Sequence, residues 1–355
     1  MSSKSIRVVS LLPSATELIH SVLEEAQHEA GDTKINVKLV GRSHECDWPE
    51  DYGNLPMLTA SKIQSTTSED IDRQVREQLA AGNGLYSVDK ELLIKLKPDV
   101  IVTQSLCKVC SVDYCLVEDI TSGMSPKPVL VDTNPCSVSE VLRDLRRVAS
   151  ALGLEAAGDA AVAKLKQRIN NAMNTASNAK KEQNNADDNS NGTKIGFLEW
   201  TVPIFCGGHW TPEIIEMAGA LHPLNPCRYD TSGVDAKGSD TTNGIVVGPK
   251  GRNLGAGPSF TVPPEDFVAL DPGLIVVACC GFDIPRTKRE MPALVENAWW
   301  KELRAVKEGN VWVVDGNQMF NRPGPRLVDA LEWLVSVLYN IPEVCPPRFP
   351  AEKWE

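Results

Sequence analysis

One repeated pattern constrains this chain more than any other feature. Leu96-Lys97-Pro98-Asp99-Val100-Ile101-Val102 is echoed by Leu270-Asp271-Pro272-Gly273-Leu274-Ile275-Val276. Val129-Leu130-Val131-Asp132-Thr133-Asn134 is then echoed by Val311-Trp312-Val313-Val314-Asp315-Gly316-Asn317. A single L-x-P-x-x-I-V arises easily by chance, but two echoes in the same order and at similar separation point to two lobes of related topology. In each, a proline leads into a short apolar, β-branched run, the mark of a strand buried on both faces of a parallel sheet.

The intervening segments supply the helices that such strands need. Arg7–Leu12 reads as a strand, and Ser14-Ala15-Thr16-Glu17 after Pro13 reads as a capping box that opens a helix through Leu18, Ile19 and Leu23. Val37–Val40 is a strand, while 68–79 and 89–96 are helical; 128–131 closes the first set of strands. In the second half Lys194–Leu198 is a strand. Thr211-Pro212-Glu213 opens a helix with Thr211 as N-cap, Pro212 at N1 and Glu213 in the positive first turn. The predicted fold is α/β: two Rossmann-like lobes with mainly parallel sheets. A length of 355 residues agrees with two domains, at roughly 100–200 residues each.

Between the lobes, 137–152 and 155–181 read as helices, with no turn signal inside the second. That second helix would be roughly 35–40 Å long and so able to bridge the lobes. The expected domains are an N-terminal lobe over 1–152, a bridging helix over 153–181, a polar insert over 182–193 and a C-terminal lobe over 194–355. The polar insert is rich in Asn and Asp and, with Ala186 its one apolar residue, cannot bury a core. A second insert near 229–259 is rich in Gly, Ser, Thr and Asp; it is expected to be a flexible solvated loop in which only Ile245–Val247 can order.

Composition narrows the function classes. A net charge of −11 argues against nucleic acid or an anionic membrane as the main partner. No apolar run approaches the roughly 18 residues of a membrane span, so membrane insertion is not expected. The first residues show no export signal, which gives a cytoplasmic expectation with its ten cysteines reduced or bound to metal.

Five candidate loops follow predicted strands. His44-Glu45-Cys46-Asp47 and Cys107-Lys108-Val109-Cys110 leave the first sheet; Cys206-Gly207-Gly208-His209-Trp210, Cys279-Cys280-Gly281-Phe282-Asp283 and Phe320-Asn321-Arg322-Pro323-Gly324-Pro325-Arg326 leave the second. Carboxyl ends of parallel strands are where such sheets bind ligands. Imidazole and thiolate suit zinc or iron, so His44, Cys46, Cys107 and Cys110 form a candidate metal set. Its competing reading is a polar loop with structural thiols. Trp200, Trp210, Phe282 and Phe320 suit a large flat ligand, though Trp210 could instead pack in the core. Adjacent cysteines do not readily chelate one ion, so Cys279 is assigned to the core. There is no P-loop, G-x-G-x-x-G, H-E-x-x-H or G-x-S-x-G, and no catalytic residue is expected.

The motifs RVVSLLPSATEL, LVGRSHECDWP, LKPDVIVTQSLCKVC, CGGHWTPEIIEMAG, CCGFD and VWVVDGNQMFNRPGPRLVDALEWL resemble the cobalamin-binding-protein-like branch of the class III periplasmic binding proteins, also called helical backbone metal receptors. The resemblance implies two α/β lobes bridged by one long helix, and a cobalamin-like corrinoid or other tetrapyrrole metal chelate held without turnover in the inter-lobe cleft. The ligand-contact set expected on this basis is Ser14, His44, Trp200, His209, Trp210, Glu213, Gly281, Phe282, Phe320 and Arg322. Exported relatives deliver to an ABC importer; the absence of an export signal in the first residues argues against a transporter partner. The alternative is a zinc or iron–sulfur metal-thiolate protein, conceivably an enzyme, built on His44, Cys46, Cys107 and Cys110.

Overall fold

The computed structural model describes residues 4–28, 35–65, 67–105, 112, 114–184, 192–230, 247–248 and 251–355. These divide into two compact units, one comprising 1–135 and 140–164, the other 136–139 and 165–355.

The first unit runs β1 (Lys4–Ser10), α1 (Pro13–His28), β2 (Ile35–Gly41), β3 (Thr59–Ser61), α2 (Ser68–Ala80), β4 (Tyr86–Val88), α3 (Lys90–Leu96), β5 (Val100–Thr103), α4 (Tyr114–Ser122) and β6 (Val129–Asp132). Four of its strands form a parallel sheet in the order β2-β1-β5-β6, and β3 and β4 pair as a separate antiparallel ribbon. Val9 and Ile101 stand opposite each other and pack with Leu11, Leu58, Leu93, Val117 and Ile120 in one core cluster. α5 (Val138–Leu152) begins within the stretch assigned to the second unit and continues in the first. α6 (Glu155–Asn184) is a continuous helix of 30 residues whose first part belongs to the first unit and the rest, from Leu165, to the second; at 1.5 Å per residue it is about 45 Å long.

The second unit continues with β7 (Ile195–Trp200), β8 (Phe205–Cys206), α7 (Thr211–Met217), β9 (Tyr229–Asp230), β10 (Val247–Gly248), β11 (Gly251–Asn253), β12 (Phe260–Thr261), α8 (Pro264–Leu270) and β13 (Leu274–Val277). Then come α9 (Ile284–Glu290), three short helices α10 to α12 (Pro292–Val295, Ala298–Glu302, Arg304–Lys307), β14 (Val311–Val314), α13 (Leu327–Tyr339) and β15 (Ala351–Lys353). The main sheet has the order β12-β8-β7-β13-β14-β15, with β7, β13 and β14 parallel. It is mixed, because β7–β8, β12–β8 and β14–β15 pair antiparallel.

The sequence echo is an echo of topology. β5 and β6 are parallel neighbours beside β1, and β13 and β14 are parallel neighbours beside β7. The L-x-P motif has a physical reason: α3 and α8 both end on a left-handed residue, Lys97 and Asp271, each at φ 46°. Each donates its backbone N–H into the last turn, and the proline that follows cannot continue the helix.

Several local expectations are corrected. β1 stops at Ser10, and α1 starts at Pro13, so Ser14 lies inside the first turn, 2% exposed, with its Oγ unpartnered. The expected capping box is therefore absent, and the polar work falls to Ser10 and Thr16: Thr16 Oγ1 donates to Ser10 Oγ and Ser10 Oγ to the Leu12 carbonyl. Thr211 is the first residue of α7 rather than its cap, which is Trp210 without a side-chain bond. α6 runs on to Asn184, past the expected end at 181. In the second insert, β9, β10 and β11 form a three-stranded antiparallel sheet, so order there extends well beyond the one segment expected; Ile245 and Val246 lie outside the described residues.

Candidate functional site

In the first unit the segment after β2 is a braced turn. Cys46 N donates to Ser43 O at 3.2 Å, closing a four-residue turn with His44 near its tip. The Arg42 guanidinium, only 8% exposed, holds the turn from beneath. Its Nη1 donates to the carbonyls of Ser43 and Cys46 at 3.0 Å each, and its Nη2 donates to that of Gly53 at 2.8 Å. His44 is half-buried, with Nδ1 2.7 Å from Thr59 Oγ1. The Cys46 thiol is buried and lies 3.0 Å from Thr16 Oγ1. The two expected metal ligands thus engage hydroxyls on different elements, β3 and α1. Cys107 and Cys110 lie outside the described residues. Among the described residues, no three His, Cys, Asp or Glu side chains gather as a metal site.

At the carboxyl ends of β5 and β6, Asp132 Oδ2 accepts from Ser105 Oγ and Asn134 Nδ2 at 2.7 Å each, while Ser105 N donates to Asn134 Oδ1 at 2.9 Å. These side chains tie the two strand ends together.

In the second unit the loops after β7, β13 and β14 are fastened to one another. Gly281 N donates to Gly316 O at 3.1 Å, and Gly316 N returns to Phe282 O at 2.8 Å. Asn321 Nδ2 donates to Ala278 O at 2.8 Å. This frame holds Trp200, half-buried at the end of β7, against Phe282, with ring centroids 4.8 Å apart and tilted by 42°. The Arg286 guanidinium sits 4.5 Å from the Phe282 centroid and backs the pair with a cation–π contact. A Cβ at Gly281 would meet nothing within 4 Å, so the backbone beside Phe282 borders open space.

The CGGHW loop is staked from two sides. Glu199 Oε1 accepts from Gly208 N at 3.1 Å, and Oε2 accepts from Ser259 Oγ. His209 has φ 52°; its N–H donates to Gly257 O at 2.9 Å and its carbonyl accepts from Ala256 N at 2.7 Å. Gly255, at φ 73°, makes this possible, because a Cβ there would lie 1.8 Å from the Cys136 carbonyl oxygen. The His209 ring stacks on Trp210 with Nδ1 buried and unpartnered, and burial lowers its pKa, favouring neutral imidazole.

Six of the expected contact residues are buried: Ser14, Trp210, Glu213, Phe282, Phe320 and Arg322. Trp210 is 8% exposed and its Nε1 donates to Phe320 O at 2.6 Å. Phe320 is fully buried between Phe197 and Trp333. Glu213, 1% exposed, accepts from Val138 N at 2.7 Å. Arg322 and Arg326 are both buried, the latter donating to Gln318 Oε1 at 2.7 Å. Of the expected four-ring wall only Trp200 is half-buried; Phe282, 8% exposed, is as buried as Trp210 and packs behind Trp200. Burial pushes the Cys206 thiol up to about 11 and the Cys279 thiol up to about 12, so both are protonated near neutrality, and Cys279 is a core residue as expected.

Sequence reasoning missed the roles of Arg42, Thr59, Glu199 and Asn225. Arg42 directly follows β2, a position that could have drawn notice. Thr59 lies 15 positions from the histidine it holds, and Asn225 spans loops through Gly207 O and Gly257 O; neither leaves a local signal.

Residues 9–186 match the family model described as periplasmic binding protein. The chain belongs to this family. No curated protein sequence matches it. Among solved structures, it is similar to the periplasmic vitamin B12 binding protein BtuF of Vibrio cholerae, at 18% identity, 94% coverage of this chain, 96% of that one and a TM-score of 0.56. The periplasmic heme binding protein from Pseudomonas aeruginosa gives 17%, 94%, 93% and 0.60. The periplasmic heme-binding protein RhuT from Roseiflexus sp. RS-1 gives 17%, 95%, 98% and 0.58. The fold is the two-lobe α/β fold of the periplasmic binding proteins. The family is one of binding proteins, so the chain is a binding protein rather than an enzyme. The cytoplasmic expectation finds no support in these relatives, whose names place them in the periplasm.

Proposed function

We propose that the protein binds a corrinoid or a related tetrapyrrole metal chelate, taking it up on the loops that follow the parallel strands. The observation that carries this reading is the Trp200–Phe282 pair, held on interlocked loops at the carboxyl ends of adjacent strands β7 and β13 and backed by Arg286. The half-buried Trp200 ring, backed by the buried Phe282 and beside an open glycine, offers apolar area and ring contact to a flat macrocycle. The names of the vitamin B12 and heme binding relatives support the same ligand class. Another similar structure is named as an ABC transporter substrate-binding protein from Listeria monocytogenes EGD-e, and a membrane transporter is the partner class that fits this role.

Titration of the purified protein with cobalamin, cobinamide and haem, followed by tryptophan quenching and by the ligand's visible bands, tests the reading. Saturable binding of at least one is expected, weakened in Trp200→Ala by about 5- to 150-fold, the equivalent of about 1–3 kcal/mol of lost ring contact and apolar burial. Saturable binding of none would refute it.

A further inference from the structure

We propose that Asn317 is a positioning residue of this binding site: its side-chain amide clasps the loop that carries Phe282 and so fixes the support on which Trp200 is presented. This rests on the reading above and adds to it the residue that sets the geometry.

Asp-x-Asn recurs where the sequence echo ends in each unit, as Asp132-Thr133-Asn134 at the end of β6 and Asp315-Gly316-Asn317 at the end of β14. In the first unit Asn134 Oδ1 accepts from Ser105 N, just past the neighbouring strand β5, at 2.9 Å. Its Nδ2 donates to Asp132 Oδ2 at 2.7 Å. In the second unit Asp315 Oδ1 accepts from Asn317 N at 2.8 Å. The Asn317 amide, oriented so that both of its ends are satisfied, donates to Gly281 O and accepts from Asp283 N at 3.0 Å each. Each asparagine is therefore tied to its own aspartate and holds a backbone N–H of the segment that follows the adjacent parallel strand. The device repeats with the topology.

In the second unit the segment it holds is the one that carries a ring. Gly281 O and Asp283 N flank Phe282, and neither makes another hydrogen bond among the described residues. Phe282 N donates to Cys279 O at 2.9 Å, and Phe282 O accepts from Gly316 N at 2.8 Å. With Asn317 in place, the backbone is fastened on both sides of the ring. Gly281 is where fastening matters most: it stands at φ 79° with nothing within 4 Å of a Cβ, so no side chain restrains its torsions. Gly316 permits the close approach, because a Cβ there would lie 1.8 Å from the Cys279 carbonyl oxygen. The Phe282 ring so held meets Trp200 at 4.8 Å between centroids. Bonds made before a ligand arrives leave less ordering to be done on binding.

The test reads Trp200 emission, isolated as the difference between each protein and the same protein carrying Trp200→Phe, so it needs no ligand. Asn317→Ala should raise acrylamide quenching of that emission about twofold, because the freed loop opens locally. For whichever of cobalamin, cobinamide and haem the wild type binds, Asn317→Ala should weaken binding about 2- to 13-fold, the range of one net hydrogen bond. Asn317→Asp separates positioning from side-chain bulk. Its carboxylate has no proton for Gly281 O and should behave as Asn317→Ala at neutral pH. Once protonated, it can donate to Gly281 O and accept from Asp283 N as the amide does. The charged groups of the elements that meet here are Asp315, Asp283 and the Arg286–Glu290 pair, and Asp315 is bonded to the backbone of residue 317 itself. That neighbouring carboxylate raises the new carboxyl above its usual value of about 3.9. Quenching in Asn317→Asp should therefore fall back toward wild type between about pH 7 and about pH 4.5, while wild type and Asn317→Ala change in parallel.

Equal Trp200 quenching in wild type and Asn317→Ala, or a flat profile in Asn317→Asp, would overturn the assignment whether or not a ligand binds. Raised quenching with unchanged affinity for a ligand that the wild type binds would remove Asn317 from the binding site. Failure of the wild type to bind any of the three would refute the ligand reading, and the quenching results would still decide the clasp.

Discussion

Replacing Trp210 by Ala tests whether this residue belongs to the interior or to a ligand wall. The ring is 8% exposed and its N–H is spent on the Phe320 carbonyl at 2.6 Å. Truncation removes a buried indole, worth about 3–5 kcal/mol in lost packing, and strands a buried carbonyl at a further cost of about 1 kcal/mol. In a unit of this size each kcal/mol lowers Tm by about 2–4 °C, so the loss should be roughly 8–24 °C. Trp210→Phe keeps most of the ring and removes only the donor, and should cost about 1–3 kcal/mol. Trp200→Ala is the control: half-buried at a strand end, it should lower Tm by no more than about 3 °C while weakening ligand binding. Thermal unfolding followed by far-ultraviolet circular dichroism, beside a binding titration of each variant, separates the two tryptophans. A Tm for Trp210→Ala within about 2 °C of wild type would refute the reasoning, since the indole would then be neither packed nor bonded as described.

Three further outcomes are expected. His222 is 3% exposed with neither ring nitrogen partnered, and burial pushes its pKa down to about 4 from the usual 6.5. The unfolded chain takes the proton first, so stability is full above about 6.5 and falls toward pH 4 by up to about 3 kcal/mol; urea midpoints at pH 7 and 4.5 should differ less in His222→Leu than in wild type, and an unchanged gap would assign the acid sensitivity elsewhere. Arg168 on α6 joins Asp329 and Glu332 of α13, so Arg168→Met should cost about 1–3 kcal/mol in urea unfolding and be largely rescued by adding Asp329→Asn and Glu332→Gln; no rescue would mean that lost packing, not stranded carboxylate charge, sets the cost. Gly82 and Gly255 share φ 73°, but a Cβ meets nothing within 4 Å at the first and the Cys136 carbonyl at the second. Gly82→Ala should therefore cost about 1–2 kcal/mol of backbone strain alone and Gly255→Ala distinctly more; equal costs, measured by urea unfolding, would contradict the close approach.

The two-lobe plan, the parallel strand pairs and the long helix follow from the sequence alone, because each rests on short-range chemistry. Apolar runs of four residues bury both faces, Leu-x-Pro ends a helix on a left-handed residue, and an uninterrupted stretch without turn residues stays helical. The strand ends that carry the candidate loops were legible for the same reason, and Trp200, Phe282 and His44 lie on them. The sequence could not say which of the four candidate aromatic residues would face in. Trp210 and Phe320 turn to the core because α7 starts one residue earlier than the Thr-Pro-Glu signal implies, and because Phe197 and Trp333 close over Phe320 from distant segments. Nor could it pair His44 with Thr59 or Cys46 with Thr16, since a hydrogen bond between residues 15 or 30 positions apart leaves no local periodicity to read. Local propensity determined the elements; only the packing of those elements decided which polar atoms were spent inside the fold and which were left facing out.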